Sequence, residues 1–173
     1  MWRSQGIPQH IAEGRAWCQA GYTVEWVRDV SSKERGASQA RGLIRLCNSL
    51  YEDVPSVHVH SVRENPEQWC LVDVRPAGER AYASLPGAIA VQAYEANPDI
   101  CAGKPLLAYC IAGCKSGAYV RRLRAQEIEA AHMPGGILAW ALADGPFVDG
   151  EGRAVEVTVH ALLHRLNPLG GRA

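Results

Sequence analysis

A short loop of small residues around Cys110 has the composition of a reactive-thiol site. The loop runs from Cys110 to Ser116 with the sequence CIAGCKS. It follows the apolar run Pro105–Ala108 and precedes Tyr119–Arg124, where apolar residues recur at helical spacing. This pattern predicts a strand, a tight loop and then a helix. Cys110 would then lie outside the carboxyl end of a strand, where α/β sheets bind ligands.

The local electrostatics of this loop favour the thiolate form of Cys110. Unpaired N–H groups and the helix dipole place partial positive charge at the start of a helix, and Lys115 adds a full positive charge nearby. Gly113 and Gly117 allow the backbone to curl, so that several N–H groups face one centre. Because the thiolate is the reactive form of cysteine, we predict Cys110 to be a nucleophile. The same cradle is suited to an oxyanion such as a sulfonate or a phosphate.

Four motifs occur in order along the middle of the chain. They are LVDVR at 71–75 with Glu79 and Tyr82 after it, LPGAI at 85–89, CIAGCKS at 110–116, and GGILAW at 135–140. In sequence and spacing they resemble the motifs of the rhodanese family of sulfurtransferases, whose active loop runs C-x-x-G-x-[R/K/T]-S. The resemblance covers about residues 56 to 150. It identifies this part of the chain as a rhodanese-like domain.

The resemblance implies both a fold and a reaction. The fold would be α/β, with a five-stranded, mostly parallel sheet flanked by helices on both faces. The reaction would be a double displacement in which Cys110 takes the outer sulfur of a donor such as thiosulfate and becomes a persulfide. A thiophilic acceptor then removes that sulfur; it is cyanide in an assay, and a thiol or a carrier protein in a cell. The resemblance implies no metal and no cofactor.

The resemblance also implies the residues of the site. Cys110 would be the catalytic nucleophile. Residues expected to bind the substrate are Ile111, Ala112, Gly113, Cys114, Lys115, Ser116 and Arg75. Ser116 would either donate a hydrogen bond to the sulfur or cap the helix, and both interpretations stay open. In the family, the residues that match Asp73 and Arg75 mostly hold neighbouring loops by ion pairing, so a structural role is favoured for this pair over a catalytic one.

The loop departs from the family pattern in ways that leave alternatives open. Lys115 stands where many relatives have arginine, which keeps the charge but loses bidentate geometry. Leu85 replaces a frequent histidine. Cys114 is a second thiol within the loop. It would resolve the Cys110 persulfide, form an inactivating disulfide with Cys110, or serve only as a small loop residue.

Two other functions compete with sulfur transfer. Related folds carry C-x5-R loops in phosphatases and arsenate reductases, whereas here the positive residue, Lys115, follows Cys110 after four intervening residues. In the family, the shorter loop accompanies sulfur chemistry. Many rhodanese-like domains have lost the cysteine and only bind partners, so a non-catalytic interaction module is the alternative from a different class. An intact loop with Cys110 argues against that alternative.

Composition restricts the class of protein. The chain has 173 residues, 47% apolar and 21% charged, which suits one globular domain with an appendage. Its net charge of zero gives no indication of binding to nucleic acid or to an acidic membrane. No apolar run is long enough to predict a transmembrane segment, and no secretory signal is evident, so we expect a cytoplasmic protein. The six cysteines are therefore not expected to form disulfides, and Cys47, Cys70 and Cys101 are expected to be small buried hydrophobes.

The flanking segments show weaker patterns. Residues 1–55 are predicted to form an N-terminal helical extension, in which polar residues 31–36 connect to an amphipathic helix over 37–51. The domain is predicted to span residues 56–150, beginning with a short strand over 57–60. Residues 151–173 are predicted to form a strand and a tail that pack on the domain.

Overall fold

A four-stranded parallel sheet forms the centre of the computed structural model, which describes residues 24–166. The strands are β1 (Cys70–Asp73), β2 (Ile89–Ala90), β3 (Leu106–Tyr109) and β4 (Ala130–His132), in the order β2-β1-β3-β4. All strands are parallel, so their carboxyl ends meet at one edge. Every residue of β1 and β3 is buried, as expected for central strands that are covered on both faces.

Helices connect and cover these strands. They are α1 (Val24–Ser49), α2 (Val59–Glu64), α3 (Ala77–Tyr82), α4 (Val91–Ala96), α5 (Cys114–Arg124), α6 (Gly136–Leu142) and α7 (Val159–Leu166), with 3-10 turns at Pro66–Gln68 and Pro98–Cys101. Two short strands, β5 (Phe147–Val148) and β6 (Ala154–Val155), form a separate antiparallel pair. No helix among residues 24–166 combines the length and the apolar content needed to cross a membrane.

Alternate strand residues supply two hydrophobic cores, one on each face of the sheet. Leu71 and Leu107 belong to the core formed with α1, α2, α6 and α7. Val72 and Ala108 belong to the core formed with α4 and α5. Because burying one such aliphatic side chain contributes about 1.5–3 kcal/mol, both layers of helices hold the sheet in place. The predicted α/β class, with helices on both faces, is confirmed.

The predicted five-stranded sheet is corrected to four strands. Residues 57–60 do not form a strand; only Ser56, directly before them, makes an isolated parallel bridge with His132. The chain turns into α2 at Val59 instead, because the Nδ1 atom of His58 accepts a hydrogen bond from the backbone N–H of His60 at 3.4 Å and caps the helix. Apolar and polar residues alternate over only four positions here, which is too short a pattern to distinguish a strand from the start of a helix.

The polar connector predicted over residues 31–36 is also wrong, because α1 continues through it to Ser49. Gly36 lies against α7, and a Cβ atom on it would be 3.6 Å from the backbone of His160. The segment is therefore helical and packs on α7, although its polar composition predicted a break between two helices. The predicted helix over 37–51 is the end of this longer helix. Residues 1–23 of the extension and 167–173 of the tail lie outside the described residues.

Two disulfides contradict the expectation that the cysteines are reduced. Cys47 of α1 is bonded to Cys114, the first residue of α5, and Cys70 of β1 is bonded to Cys101. The pairs are separated by 67 and 31 residues in sequence, so linear spacing gave no indication of them. Cys114 therefore pairs with Cys47 and not with Cys110.

Candidate active site

Cys110 lies directly after β3, at the carboxyl edge of the sheet, and is only 2% exposed. Its Sγ atom accepts a hydrogen bond from the backbone N–H of Gly113 at 3.2 Å. The hydroxyl of Ser116 donates to the same sulfur at 3.5 Å. Donors directed at a sulfur atom stabilise its anionic form. The loop thus places two donors on the predicted nucleophile.

The conformation of the loop depends on Gly113. Its φ of +106° is in the left-handed region, which favours glycine. A Cβ atom here would also lie 3.1 Å from the backbone nitrogen of Gly135. Gly113 is the N-cap of α5, and no side chain caps this helix. Ser116 therefore does not act as the cap; its hydroxyl has the Cys110 sulfur and, at 3.2 Å, the carbonyl of Gly113 as acceptors.

The first turn of α6 fixes the loop from the other side. The backbone N–H groups of Ile137 and Leu138 donate to the carbonyls of Cys110 and Ile111, at 2.9 Å and 3.0 Å. A Cβ atom on Gly136 would lie 2.1 Å from the Cys110 carbonyl oxygen, so only glycine permits this approach. The sequence indicated the GGILAW motif, but it did not indicate that the motif holds the loop carbonyls.

The C-terminal end of α1 and the residues after it cover the loop. Asn48 places its Oδ1 atom 3.5 Å from the position of a Cβ atom on Gly113, and this buried oxygen has no hydrogen-bond partner among the described residues. The ring of Tyr51 lies 2.5 Å from the position of a Cβ atom on Gly117. The disulfide between α1 and α5 joins the same two segments. Sequence reasoning assigned no role to these covering residues, since none belongs to a motif.

Arg75 makes structural contacts. It is 2% exposed, its guanidinium binds both carboxylate oxygens of Asp73 at 2.5–3.2 Å, and it donates to the carbonyl of Ala83 at 2.7 Å. Burial alone lowers the pKa of Arg75, but the hydrogen bond and charge of Asp73 outweigh it and raise the pKa. The pair connects the end of β1 to the segment before β2. Substrate binding by Arg75 stays a prediction.

Tyr109 extends this polar network on the last residue of β3. Its hydroxyl accepts a hydrogen bond from the N–H of Leu85 at 3.2 Å and contacts the hydroxyl of Ser84 at 3.1 Å. Ser84 in turn donates to Asp73 at 2.9 Å. Burial, assisted by the charge of Asp73, raises the pKa of Tyr109 well above its usual range. The phenol is thus neutral at physiological pH and anchors the strand that delivers Cys110.

The other predicted substrate-binding residues lie at different depths around the sulfur. Ala112 and Gly113 are buried, Ile111 and Cys114 are partly buried, and Lys115 is exposed. Lys115 lines an open groove of about 540 Å³. The groove also contains Arg122, which is paired with Glu95 at 2.9 Å. Lys115 therefore contributes positive charge to a groove beside the loop.

Comparison with known families identifies the domain that carries this site. Residues 58–143 match the sequence model of the rhodanese-like domain family. The chain therefore contains a rhodanese-like domain, and the predicted resemblance is confirmed. No curated protein matches the chain.

The chain also has structural similarity to solved proteins. The chain is similar to a thiosulfate sulfurtransferase from Pseudomonas aeruginosa, with 21% identity and a TM-score of 0.51, over 70% of this chain and 25% of that one. It is also similar to a rhodanese-related protein from Thermoplasma volcanium, with 24% identity and a TM-score of 0.49, over 54% of this chain and 97% of that one. Similarity at this level of identity shows the fold alone.

Proposed function

We propose that the protein is a sulfurtransferase that carries sulfane sulfur as a persulfide on Cys110. The observation that carries the proposal is that Cys110 keeps a free thiol with hydrogen-bond donors at its sulfur. Among the cysteines of residues 24–166, Cys110 alone has a free thiol, and two donors are directed at its sulfur. A binding module that did not use the thiol would not need this arrangement. The match to the rhodanese-like domain family supports the same chemistry.

The proposed first step is a displacement at sulfur. The Cys110 thiolate attacks the outer sulfur of thiosulfate, the S–S bond of the donor breaks, and sulfite leaves with the electron pair. The N–H of Gly113 and the hydroxyl of Ser116, which contact Sγ, stabilise the anionic persulfide that results. In the second step, a thiol, a carrier protein or, in an assay, cyanide accepts the outer sulfur and restores the thiolate.

The test is the initial rate of sulfite release from thiosulfate, with cyanide as acceptor and a dithiol present to keep the protein reduced. We expect Cys110→Ser to abolish the release. We expect Ser116→Ala to slow it about ten- to a hundredfold, because a hydrogen bond to a charged group contributes about 1.5–3 kcal/mol. Wild-type protein that releases no sulfite would support a non-catalytic interaction module. Hydrolysis of a phosphate monoester instead would support a phosphatase.

The cellular location stays a prediction. A cytoplasmic protein was expected from the sequence, yet disulfides are more typical of oxidising compartments. The Cys47–Cys114 and Cys70–Cys101 bonds are therefore compatible with two proposals. Either the protein is located outside the cytoplasm, or its disulfides form and break as part of the reaction.

A further inference from the structure

We propose that Cys114 and Cys47 form a relay that takes the sulfane sulfur from Cys110 and releases it as hydrogen sulfide. The protein would then be a thiosulfate reductase, with its own dithiol as the sulfur acceptor. This inference rests on the proposed persulfide at Cys110. It adds a second activity and gives catalytic roles to Cys114 and Cys47.

The first support is the position of the pair. Cys114 is the residue after Gly113, whose N–H contacts the Cys110 sulfur at 3.2 Å. Cys47 is bonded to Cys114, with their Cα atoms 4.8 Å apart. Two cysteines therefore meet at the first turn of the helix that follows the nucleophile. The Cys70–Cys101 disulfide belongs to the core on the other face of the sheet.

The second support is the burial of the nucleophile. Cys110 is 2% exposed, and Asn48 at the end of α1 lies beside Gly113 of the same loop, so a large acceptor has little access to the Cys110 sulfur. A persulfide extends the sulfur by one S–S bond, about 2 Å, in a loop that also holds Cys114. With the disulfide reduced, the Cys114 side chain is free to leave Cys47 and take another rotamer. An acceptor within the fold then suits the site better than a second protein.

The steps balance in sulfur, charge and electrons. The thiol of Cys114 takes the outer sulfur of the Cys110 persulfide, so that Cys110 leaves as a thiolate and Cys114 becomes the persulfide. The thiolate of Cys47 then attacks the Cys114 sulfur, the outer sulfur leaves as hydrosulfide, and the Cys47–Cys114 disulfide forms. Two cysteine thiols are oxidised, and one sulfane sulfur is reduced to sulfide. An external dithiol reduces the disulfide before the next turnover.

These reaction steps end with the same pairing of cysteines that the structure shows. Cys110 has a free thiol, and Cys47 and Cys114 are joined. The inactivating alternative, a Cys110–Cys114 disulfide, would have left Cys47 unpaired. The observed pairing instead leaves the nucleophile available as soon as an external dithiol reduces the relay.

The test is a sulfur balance in a single turnover. Protein is reduced with dithiothreitol, separated from the reductant under anaerobic conditions and mixed with one equivalent of thiosulfate, and sulfite, sulfide and disulfides are measured. Wild type should release one equivalent each of sulfite and sulfide and form the Cys47–Cys114 bond. Cys47→Ser should release sulfite but at least about tenfold less sulfide, and added cyanide should recover its sulfur as thiocyanate. Sulfite release also shows that the variant is folded.

A matched control removes the other disulfide. The variant with both Cys70→Ser and Cys101→Ser should release sulfide like wild type, since that pair lies outside the relay. Sulfide release by Cys47→Ser at the wild-type level would overturn the relay, as would wild-type release of sulfite without sulfide. Both outcomes would leave the proposed sulfurtransferase intact. Wild type that releases no sulfite would overturn the proposed function and the relay together.

Discussion

At the scale of single residues, His132 links the protonation of one side chain to stability. It is 2% exposed, and its Nδ1 atom has no hydrogen-bond partner among the described residues. Burial lowers the pKa of His132 below the ordinary value of 6.5. The unfolded chain therefore binds this proton more readily than the folded one. The stability contributed by His132 is complete above the ordinary pKa and is lost as the pH falls below it.

This predicts a measurable difference in pH dependence. Between the folded and unfolded pKa values, the free energy of unfolding should fall by up to about 1.4 kcal/mol per pH unit from this group. Urea unfolding at neutral pH and at about pH 5 measures this change. The free energy of unfolding should fall less between the two pH values in His132→Gln than in wild type. His60→Gln, at an exposed position, should retain the wild-type loss. An equal loss in His132→Gln would contradict this account.

At the residue scale, the positions of the loop residues could be predicted from a motif, and their roles in catalysis stay predictions. Cys110, the loop N–H groups and Ser116 were predicted from seven consecutive residues, and the structure places Gly113 and Ser116 at the sulfur. Asn48 was not predicted, since its place beside the loop arises from a helix far away in sequence. The helix register that brings it there depends on packing, which a single sequence does not encode in any local pattern.

At the scale of elements, we expect the end of α1 to restrict access to Cys110. The Cys47–Cys114 bond joins this end to the start of α5, and Cys110, in the loop before α5, is buried. We expect iodoacetamide to modify Cys110 at least about tenfold faster once the bond is reduced, corresponding to about 1.4 kcal/mol less free energy for opening. Peptide mass mapping reads the modification at Cys110 itself.

The control for this prediction again uses matched cysteine variants. Cys47→Ser should show the fast modification of Cys110 without a reductant. The variant with Cys70→Ser and Cys101→Ser should keep the slow rate until it is reduced, because its α1 bond is intact. A modification rate for Cys110 that is the same in all these proteins would show that α1 does not restrict access.

Element-level prediction failed where a short pattern was outweighed by a tertiary contact or by a side-chain cap. Residues 31–36 are polar, yet they are helical with Gly36 packed against α7. Residues 57–60 alternate like a strand, yet His58 caps a helix there. In both places the local preference is weak, since only a few residues express it. A contact with the distant helix α7 at Gly36 and a local side-chain cap at His58 then decide the structure.

At the scale of the whole molecule, the fold was predictable because its motifs stand at the ends of buried strands. The apolar run before Cys110 predicted β3, and the LVDVR motif overlaps β1; both strands lie centrally with every residue buried. The disulfides were not predictable, since Cys47 and Cys114 are 67 residues apart and meet only when α1 packs on the completed domain. Together, the sheet edge, the loop and α1 bring one buried free thiol close to a disulfide.

The most direct test of the central claim is the mass of the intact protein after reaction with thiosulfate. It should be made on the variant with Cys47→Ser and Cys114→Ser, in which no relay can remove the sulfur. We predict a gain of one sulfur atom, which cyanide removes and which Cys110→Ser in the same background abolishes. No gain in mass, or an equal gain in the protein that lacks Cys110, would contradict the persulfide mechanism.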